Sequence, residues 1–121
     1  MYGLSVRWSL EQVAAGTEER LREYVVGTSI ERFTGLPGLR FKTWRMRPAE
    51  WFEGTYVFAR AEDRDGFEAG FRRDVATAPG TQIVGAVPVV IERFEVVAVA
   101  EGGAGFAAGP GPGPGPGDGS A

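Results

Sequence analysis

Residues 39–59 read LRFKTWRMRPAEWFEGTYVFA, and this stretch decides the fold. It holds two runs of alternating apolar and polar residues, Leu39 to Arg47 and Trp51 to Ala59, which are joined by Pro48-Ala49-Glu50. A period of two is typical of half-buried strands, and a short link between two such runs indicates a hairpin. The stretch therefore predicts two antiparallel strands near the centre of the chain.

The sequence before the hairpin predicts one strand and one helix. Tyr2 to Trp8 alternates between apolar and small or polar residues, as a half-buried strand does. Thr17 is the expected N-cap of a helix whose apolar residues follow helical spacing as far as Phe33. Gly35-Leu36-Pro37-Gly38 then ends the helix, since glycine and proline favour a turn.

The sequence after the hairpin repeats this pair in the opposite order. A second helix is expected from Glu62, followed by a loop at Pro79-Gly80. Between Ala86 and Val99 the density of β-branched residues predicts one long strand or two short ones. The order β-α-β-β-α-β belongs to the α+β class. With right-handed crossovers it gives a four-stranded antiparallel sheet with two helices on one face, the ferredoxin-like arrangement.

The predicted strands carry apolar residues on both faces, whereas two helices cover only one face of a sheet. A bare apolar face would exceed the few hundred Å² that monomers usually expose. We therefore predict a homodimer with two-fold symmetry in which the sheets pack against each other. The opposed sets are Leu39 and Phe41 against Trp44 and Met46, and Val89 and Ile91 against Val90 and Phe94.

The composition excludes several kinds of chemistry. The 121 residues include no cysteine and no histidine. This removes disulfides, thiolate nucleophiles, zinc sites built on cysteine and the usual haem ligand. We expect no metal site, so any reaction must use Asp, Glu, Arg, Lys, Tyr, Trp, Ser or Thr side chains or the reactivity of the substrate itself.

Charge and hydropathy limit the partners and the location. The formal net charge is −3 and no basic stripe is present, so we expect no nucleic-acid partner. No apolar run approaches the roughly 20 residues that span a bilayer. No export segment precedes the first strand. We therefore expect no membrane association and a cytoplasmic location.

The chain divides into two parts by composition. Residues 1–101 have the length and the aromatic content of one domain with one core. Residues 102–121 are rich in glycine and proline and contain little that can be buried. This composition predicts a disordered tail.

Several segments resemble the YdhR-like monooxygenases of the dimeric α+β barrel superfamily, which includes the antibiotic-biosynthesis monooxygenases. The resemblance spans about residues 2–99 and implies that two ferredoxin-like sheets form one barrel. The segments that carry it are Pro37-Gly38-Leu39, Lys42-Thr43-Trp44, Glu53-Gly54-Thr55-Tyr56-Val57-Phe58, the acidic helix start at Glu62, and Val90 to Val96.

The resemblance implies an enzyme that oxidises a small electron-rich aromatic with dioxygen and needs no cofactor. A deprotonated phenol, hydroquinone or anthrone supplies the electrons itself. The protein then has to bury an aromatic ring, move a proton and place hydrogen-bond donors. Two alternatives remain open on the same scaffold. One is a non-catalytic or stress-related barrel that binds an apolar small molecule, and the other is a cofactor-free cyclase or isomerase.

Glu53 is the first candidate for catalysis. It lies in an aromatic strand between Phe52 and Tyr56, where desolvation would raise the pKa of its carboxyl and make it a general base. The alternative is an ion pair with Arg45 or Arg47 across the hairpin.

The other candidates are aromatic or basic. Tyr56 and Trp44 can donate hydrogen bonds to a substrate oxygen, or they can pack in the core. Trp51 fits the wall of a pocket mouth or an interface anchor, and Lys42 and Arg45 fit an anion site or the polar face of a strand. The resulting assignment is catalytic for Glu53, Tyr56 and Trp44, and substrate-binding for Trp51, Phe52, Phe58, Lys42 and Arg45.

Overall fold

The computed structural model describes residues 1–106, and its elements follow the predicted order. The strands are β1 (Tyr2–Ser9), β2 (Leu39–Arg47), β3 (Trp51–Phe58) and β4 (Val90–Glu95). The helices are α1 (Thr17–Tyr24), α2 (Ile30–Phe33), α3 (Ala61–Arg73) and α4 (Pro79–Val84), with a π-helical turn at Val25–Ser29 and a 3₁₀ turn at Val75–Thr77.

The four strands form one antiparallel sheet in the order β2-β3-β1-β4. The helices pack on one face of it, where Leu4 and Val6 of β1 are fully buried beneath Leu21 and Phe33. This arrangement confirms the predicted α+β ferredoxin-like fold.

The first helical segment is confirmed, but its predicted N-cap is wrong. Gly16, with a φ of 86°, is the capping residue, and Thr17 already lies inside α1. The Thr17 hydroxyl donates a hydrogen bond to the carbonyl of Ala14, 2.7 Å away, and thus fixes the preceding loop.

Between α1 and α2 the backbone widens into the π turn, a feature that often occurs at functional sites.

The loop predicted at Pro79-Gly80 is instead the start of α4. Proline occupies its first turn, where the missing N–H costs nothing, and Gly85 ends it with a φ of 87°.

The last strand, β4, is shorter than the range predicted for it, Ala86 to Val99. Among the described residues its ladder partner is β1, which begins at Tyr2 opposite Glu95, and the contact ends one residue farther with the hydrogen bond from the amide of Val96 to the carbonyl of Met1.

The predicted faces of β2 need one correction. Leu39 pairs with Phe58 and Phe41 pairs with the preceding residue Val57, so Arg40 is an extra residue in a β-bulge. Leu39 and Phe41 therefore lie on opposite faces of the sheet, not on the same face. Leu39 packs against the core.

The face of the sheet that carries no helices is less apolar than predicted. Its middle row pairs Arg7 with Glu53 and Glu53 with Arg45. Apolar side chains concentrate at one end, where the ring of Phe94 lies across Gly3. We call this surface the open face. The predicted homodimer stays a prediction.

The predicted tail lies mostly outside the described residues. Of residues 102–121 the structure describes a turn, in which Gly105 donates a hydrogen bond to the carbonyl of Gly102, and Phe106. The Phe106 ring stacks on Phe41, with 6.3 Å between centroids. Within residues 1–106 no helix is both long enough and apolar enough to cross a membrane.

The packing of α4 on β1 gives a test of the fold. A Cβ on Gly80 would lie 2.8 Å from the indole ring of Trp8. That ring is 4% exposed and its Nε1 donates a hydrogen bond to Thr81, so it has little room to move. We expect Gly80→Ala to lower the free energy of unfolding by about 1–3 kcal/mol in urea titrations.

Gly66 provides the matched control. It lies inside α3, and nothing lies within 4 Å of a Cβ built on it. We expect Gly66→Ala to raise the free energy of unfolding by about 0.4–1 kcal/mol, because alanine restricts the unfolded chain. Equal effects of the two substitutions would contradict the close packing at Trp8.

Candidate active site

A cavity of about 440 Å³ lies between the sheet and the helices, within the size range of small-molecule sites. Its apolar wall consists of Trp8, Phe33, Phe52, Phe67 and Phe71, and its polar groups include Tyr24, Ser29, Arg32, Lys42, Trp44 and Tyr56.

The rings around the cavity form a packed cluster. The centroid of Phe33 lies 5.6 Å from that of Tyr56 and 6.1 Å from that of Phe67, both in edge-to-face geometry. Tyr56 and Phe67 are 4.6 Å apart. Such contacts fix the ring positions, so the cavity presents a preformed aromatic surface.

Lys42 is the only lysine of the chain, and β2 directs its amine into this cluster. The Nζ atom lies 3.7 Å from the centroid of the Phe33 ring, 4.3 Å from that of Tyr56 and 4.5 Å from that of Trp44. Gly54 makes room for it, because a Cβ there would lie 3.3 Å from Cε of Lys42. No carboxylate in residues 1–106 forms a salt bridge with this amine.

The surroundings change the acidity of two side chains at the cavity. Burial, assisted by the positive charge of Arg32, lowers the pKa of Lys42 from 10.5 to about 6. The ring faces act in the opposite direction, since they attract the ammonium form. Burial raises the pKa of Tyr56 well above its ordinary value, with Arg32 opposing the shift, so Tyr56 remains a hydrogen-bond donor at neutral pH.

The π turn supplies polar groups that the sequence reasoning missed. It buries Ser29, whose hydroxyl accepts a hydrogen bond from Nε1 of Trp44 at 3.1 Å. The indole N–H of Trp44 is therefore already used within the protein. Arg32, one turn farther, lines the same cavity. The one local signal in the sequence was Gly27, which weakens a regular helix at this point.

Glu53 does not face the cavity. Side chains alternate along β3, so Glu53 lies on the open face while Tyr56 lies beneath the helices. Its carboxylate is buried and accepts hydrogen bonds from Nε of Arg7 at 3.0 Å and from Nε of Arg45 at 2.6 Å. The ion pair with Arg45, the alternative given above, is the geometry observed.

Trp51 and Arg45 also lie on the open face. The guanidinium carbon of Arg45 is 5.1 Å from the ring centroid of Trp51, and that of Arg7 is 4.1 Å away. Neither Trp51 nor Arg45 contributes to the cavity wall, so neither lies where a substrate-binding role in this cavity would require it, and the open face agrees with the alternatives given for them above. The reason is again the strand period, which separates them from Lys42 and Tyr56.

The remaining predicted residues lie beneath the helices. Lys42, Trp44, Phe52 and Tyr56 all line the cavity. Phe58 packs beside Tyr56 in the core, 6.5 Å between centroids, and is not part of the cavity wall. In residues 1–106 no group of three Asp or Glu side chains is placed to hold a metal ion.

Comparison with one solved structure supports the fold. A protein of unknown function from Nitrosomonas europaea superposes with a TM-score of 0.58 at 18% identity, covering 82% of this chain and 91% of the other. A structure named as a "putative Antibiotic biosynthesis monooxygenase" from Chloroflexus aurantiacus has a TM-score of 0.46 at 18% identity, covering 89% and 98%. No family model and no curated protein matches the sequence.

The lowered pKa of Lys42 predicts a pH-dependent stability. Between about pH 6 and pH 10 the unfolded chain holds a proton on Lys42 that the folded protein lacks, so raising the pH favours folding. We expect the free energy of unfolding to rise across this window in the wild type but not in Lys42→Met, as measured by urea titration at several pH values.

Lys42→Arg separates charge from titration. Its guanidinium keeps its proton throughout this range, so we expect reduced stability at every pH and no matching slope. Parallel profiles for the wild type and Lys42→Met would mean that folded Lys42 titrates near the ordinary value of 10.5.

Proposed function

We propose that the protein is a cofactor-independent monooxygenase that oxidises a small electron-rich aromatic, of the phenol, hydroquinone or anthrone type, with dioxygen. The observation that supports this most strongly is the amine of Lys42 at the wall of an aromatic cavity. The cavity thus combines an aromatic surface that can bind a ring with a base, the amine of Lys42, that is largely unprotonated at neutral pH.

The walls of the cavity favour a flat apolar guest. Phe33, Phe67 and Phe71 on the helices and Trp8 and Phe52 on the sheet line the cavity, so a ring bound in it exchanges water for aromatic contacts. Arg73, Asp74 and Thr77 line the cavity at the end of α3, while Lys42, Trp44 and Ser29 line the side formed by β2 and the π turn. A substrate oxygen directed there would meet Lys42.

Lys42 replaces Glu53 as the proposed base. Its neutral amine takes a proton from the substrate, and the ammonium so formed pairs with the substrate anion. The rings of Phe33, Tyr56 and Trp44 stabilise this ammonium. Arg32, at the same cavity, further favours an anion. A base with a pKa near the working pH is effective in either direction of proton transfer.

The oxidation balances without an added reductant. The substrate anion gives one electron to dioxygen, and the substrate radical and superoxide combine through a new C–O bond to give a peroxide. The O–O bond then breaks, the carbon loses its remaining hydrogen as a proton, and a carbonyl forms. One oxygen atom ends in the product and the other in water, which also receives the proton held by Lys42. The Tyr56 hydroxyl is the proposed donor to the peroxide.

Oxygen uptake with a panel of hydroquinones and anthrones tests this function. We expect Lys42→Met and Lys42→Arg to lower kcat by about 100-fold or more, the usual loss when a general base is removed. Glu53→Gln should retain turnover as long as the protein is folded, because Glu53 faces away from the cavity. Loss of turnover in Glu53→Gln with full activity in Lys42→Met would contradict the assignment of the base.

The same assay distinguishes the two alternatives. A ring that quenches tryptophan fluorescence but causes no oxygen uptake would indicate a binding protein, since Trp8 and Trp44 line the cavity. A product formed without oxygen uptake would indicate a cyclase or isomerase.

The proposal includes a homodimer formed through the open faces. We expect the wild type to sediment as a dimer at low micromolar concentration and Phe94→Asp to sediment as a monomer, because the Phe94 ring lies on the open face across Gly3. Val97, which is 98% exposed beyond β4, supplies the control, and Val97→Asp should remain dimeric. A wild type that is monomeric at this concentration would rule out the dimer.

A further inference from the structure

The amine of Lys42 has the surroundings of a nucleophile as well as those of a base. It lies against three rings at a cavity wall, and no carboxylate of residues 1–106 forms a salt bridge with it. The one acidic residue of that wall, Asp74, pairs with Arg73 at 3.2 Å. Arg32 brings a second positive charge to the cavity. Desolvation and a neighbouring cation are the two conditions that activate lysines toward carbonyl compounds.

We propose that Lys42 forms a covalent imine with small aromatic aldehydes that enter the cavity. This activity goes beyond the oxidation described above, because it requires neither dioxygen nor an oxidisable ring. It uses the same walls to hold the ring and the same nitrogen to react.

The reaction is a condensation that balances by itself. The nitrogen lone pair of Lys42 attacks the carbonyl carbon, a C–N bond forms, and the carbonyl electron pair moves to oxygen. Protons pass from nitrogen to that oxygen, the C–O bond breaks and water leaves, so that a C=N bond remains. Nothing is oxidised or reduced.

The neighbouring tyrosine supports the loss of water. A Cβ on Gly54 would lie 3.3 Å from Cε of Lys42 and 3.4 Å from the hydroxyl of Tyr56, so both side chains extend over this glycine. Tyr56 remains protonated at neutral pH and is the group placed to donate to the oxygen that departs. The imine is neutral as formed, and when it takes up a proton from solvent the resulting cation is stabilised by the surrounding rings.

The walls of the cavity define the class of aldehyde. Phe33, Phe67 and Tyr56 pack against one another, with centroids 4.6 to 6.1 Å apart, and so present one aromatic wall against which a ring bound to the formyl carbon would lie. An aliphatic chain makes weaker contacts with such rings, and a sugar would leave its hydroxyl groups without partners at the apolar wall.

Reductive trapping tests the proposal, and the single lysine makes the result easy to interpret. The full chain is treated under nitrogen at about pH 7 with benzaldehyde and cyanoborohydride, and the adduct is located by intact mass and peptide mapping. The amines present are Lys42 and the terminal amine of Met1. We expect one benzyl group at Lys42, added faster than at Met1. Butanal at the same concentration should modify Lys42 several-fold more slowly.

Two variants and two rates decide the outcome. Lys42→Met and Lys42→Arg should show only the slow reaction at Met1, and circular dichroism checks that each variant is folded. Faster modification of Met1 than of Lys42 in the wild type would overturn the proposal, and equal rates with butanal would overturn the aromatic preference. Because trapping is done under nitrogen, its result does not depend on oxygen uptake. Trapping at Lys42 in a protein that takes up no oxygen would support the imine and contradict the monooxygenase. Oxygen uptake without trapping would contradict the imine alone.

Discussion

The removal of one amine from water is the interaction on which the site depends. Lys42 contacts Phe33, Trp44 and Tyr56 through its Nζ atom, and burial there lowers its pKa to about 6. Each neighbouring element contributes to this position: β3 supplies a glycine where a side chain would crowd Lys42, and the helical segment supplies the Phe33 ring and the charge of Arg32. The aromatic faces offset part of the cost of the ammonium form, so the amine can hold a proton when it receives one.

Strand alternation separates two kinds of chemistry within the same hairpin. On the open face Glu53 is buried between Arg7 and Arg45, where three charged groups satisfy one another. On the helix face Lys42 and Tyr56 lie opposite each other in register, with no carboxylate between them. Glu53 thus has two ionic partners, whereas among residues 1–106 the desolvated amine of Lys42 has none, and its burial lowers its pKa to about 6. The proposed reactive group is therefore the one for which the described part of the chain offers no ionic partner.

The sequence predicted the hairpin, the order of the elements and the helix face of β3, because each depends on local periodicity. It did not predict the bulge at Arg40, which reverses the side of Leu39, since a bulge inserts one residue without a compositional signal. It also did not predict the π turn that buries Ser29. The placement of Glu53 is a different kind of case, and its catalytic role stays a prediction. The period of two that grouped Phe52, Tyr56 and Phe58 already places Glu53 on the other face.

The balance of charge around the cavity indicates which guests suit it. Its wall carries the guanidinium groups of Arg32 and Arg73, the carboxylate of Asp74, which is engaged by Arg73, and the largely neutral amine of Lys42. A neutral hydrocarbon would gain ring contacts but would supply no counter-ion for Arg32. A guest that loses a proton to Lys42 gains ring contacts and also becomes an anion. The ammonium formed on Lys42 is then the counter-ion of that anion. An acidic aromatic ring therefore fits the cavity better than an equally apolar one that cannot ionise.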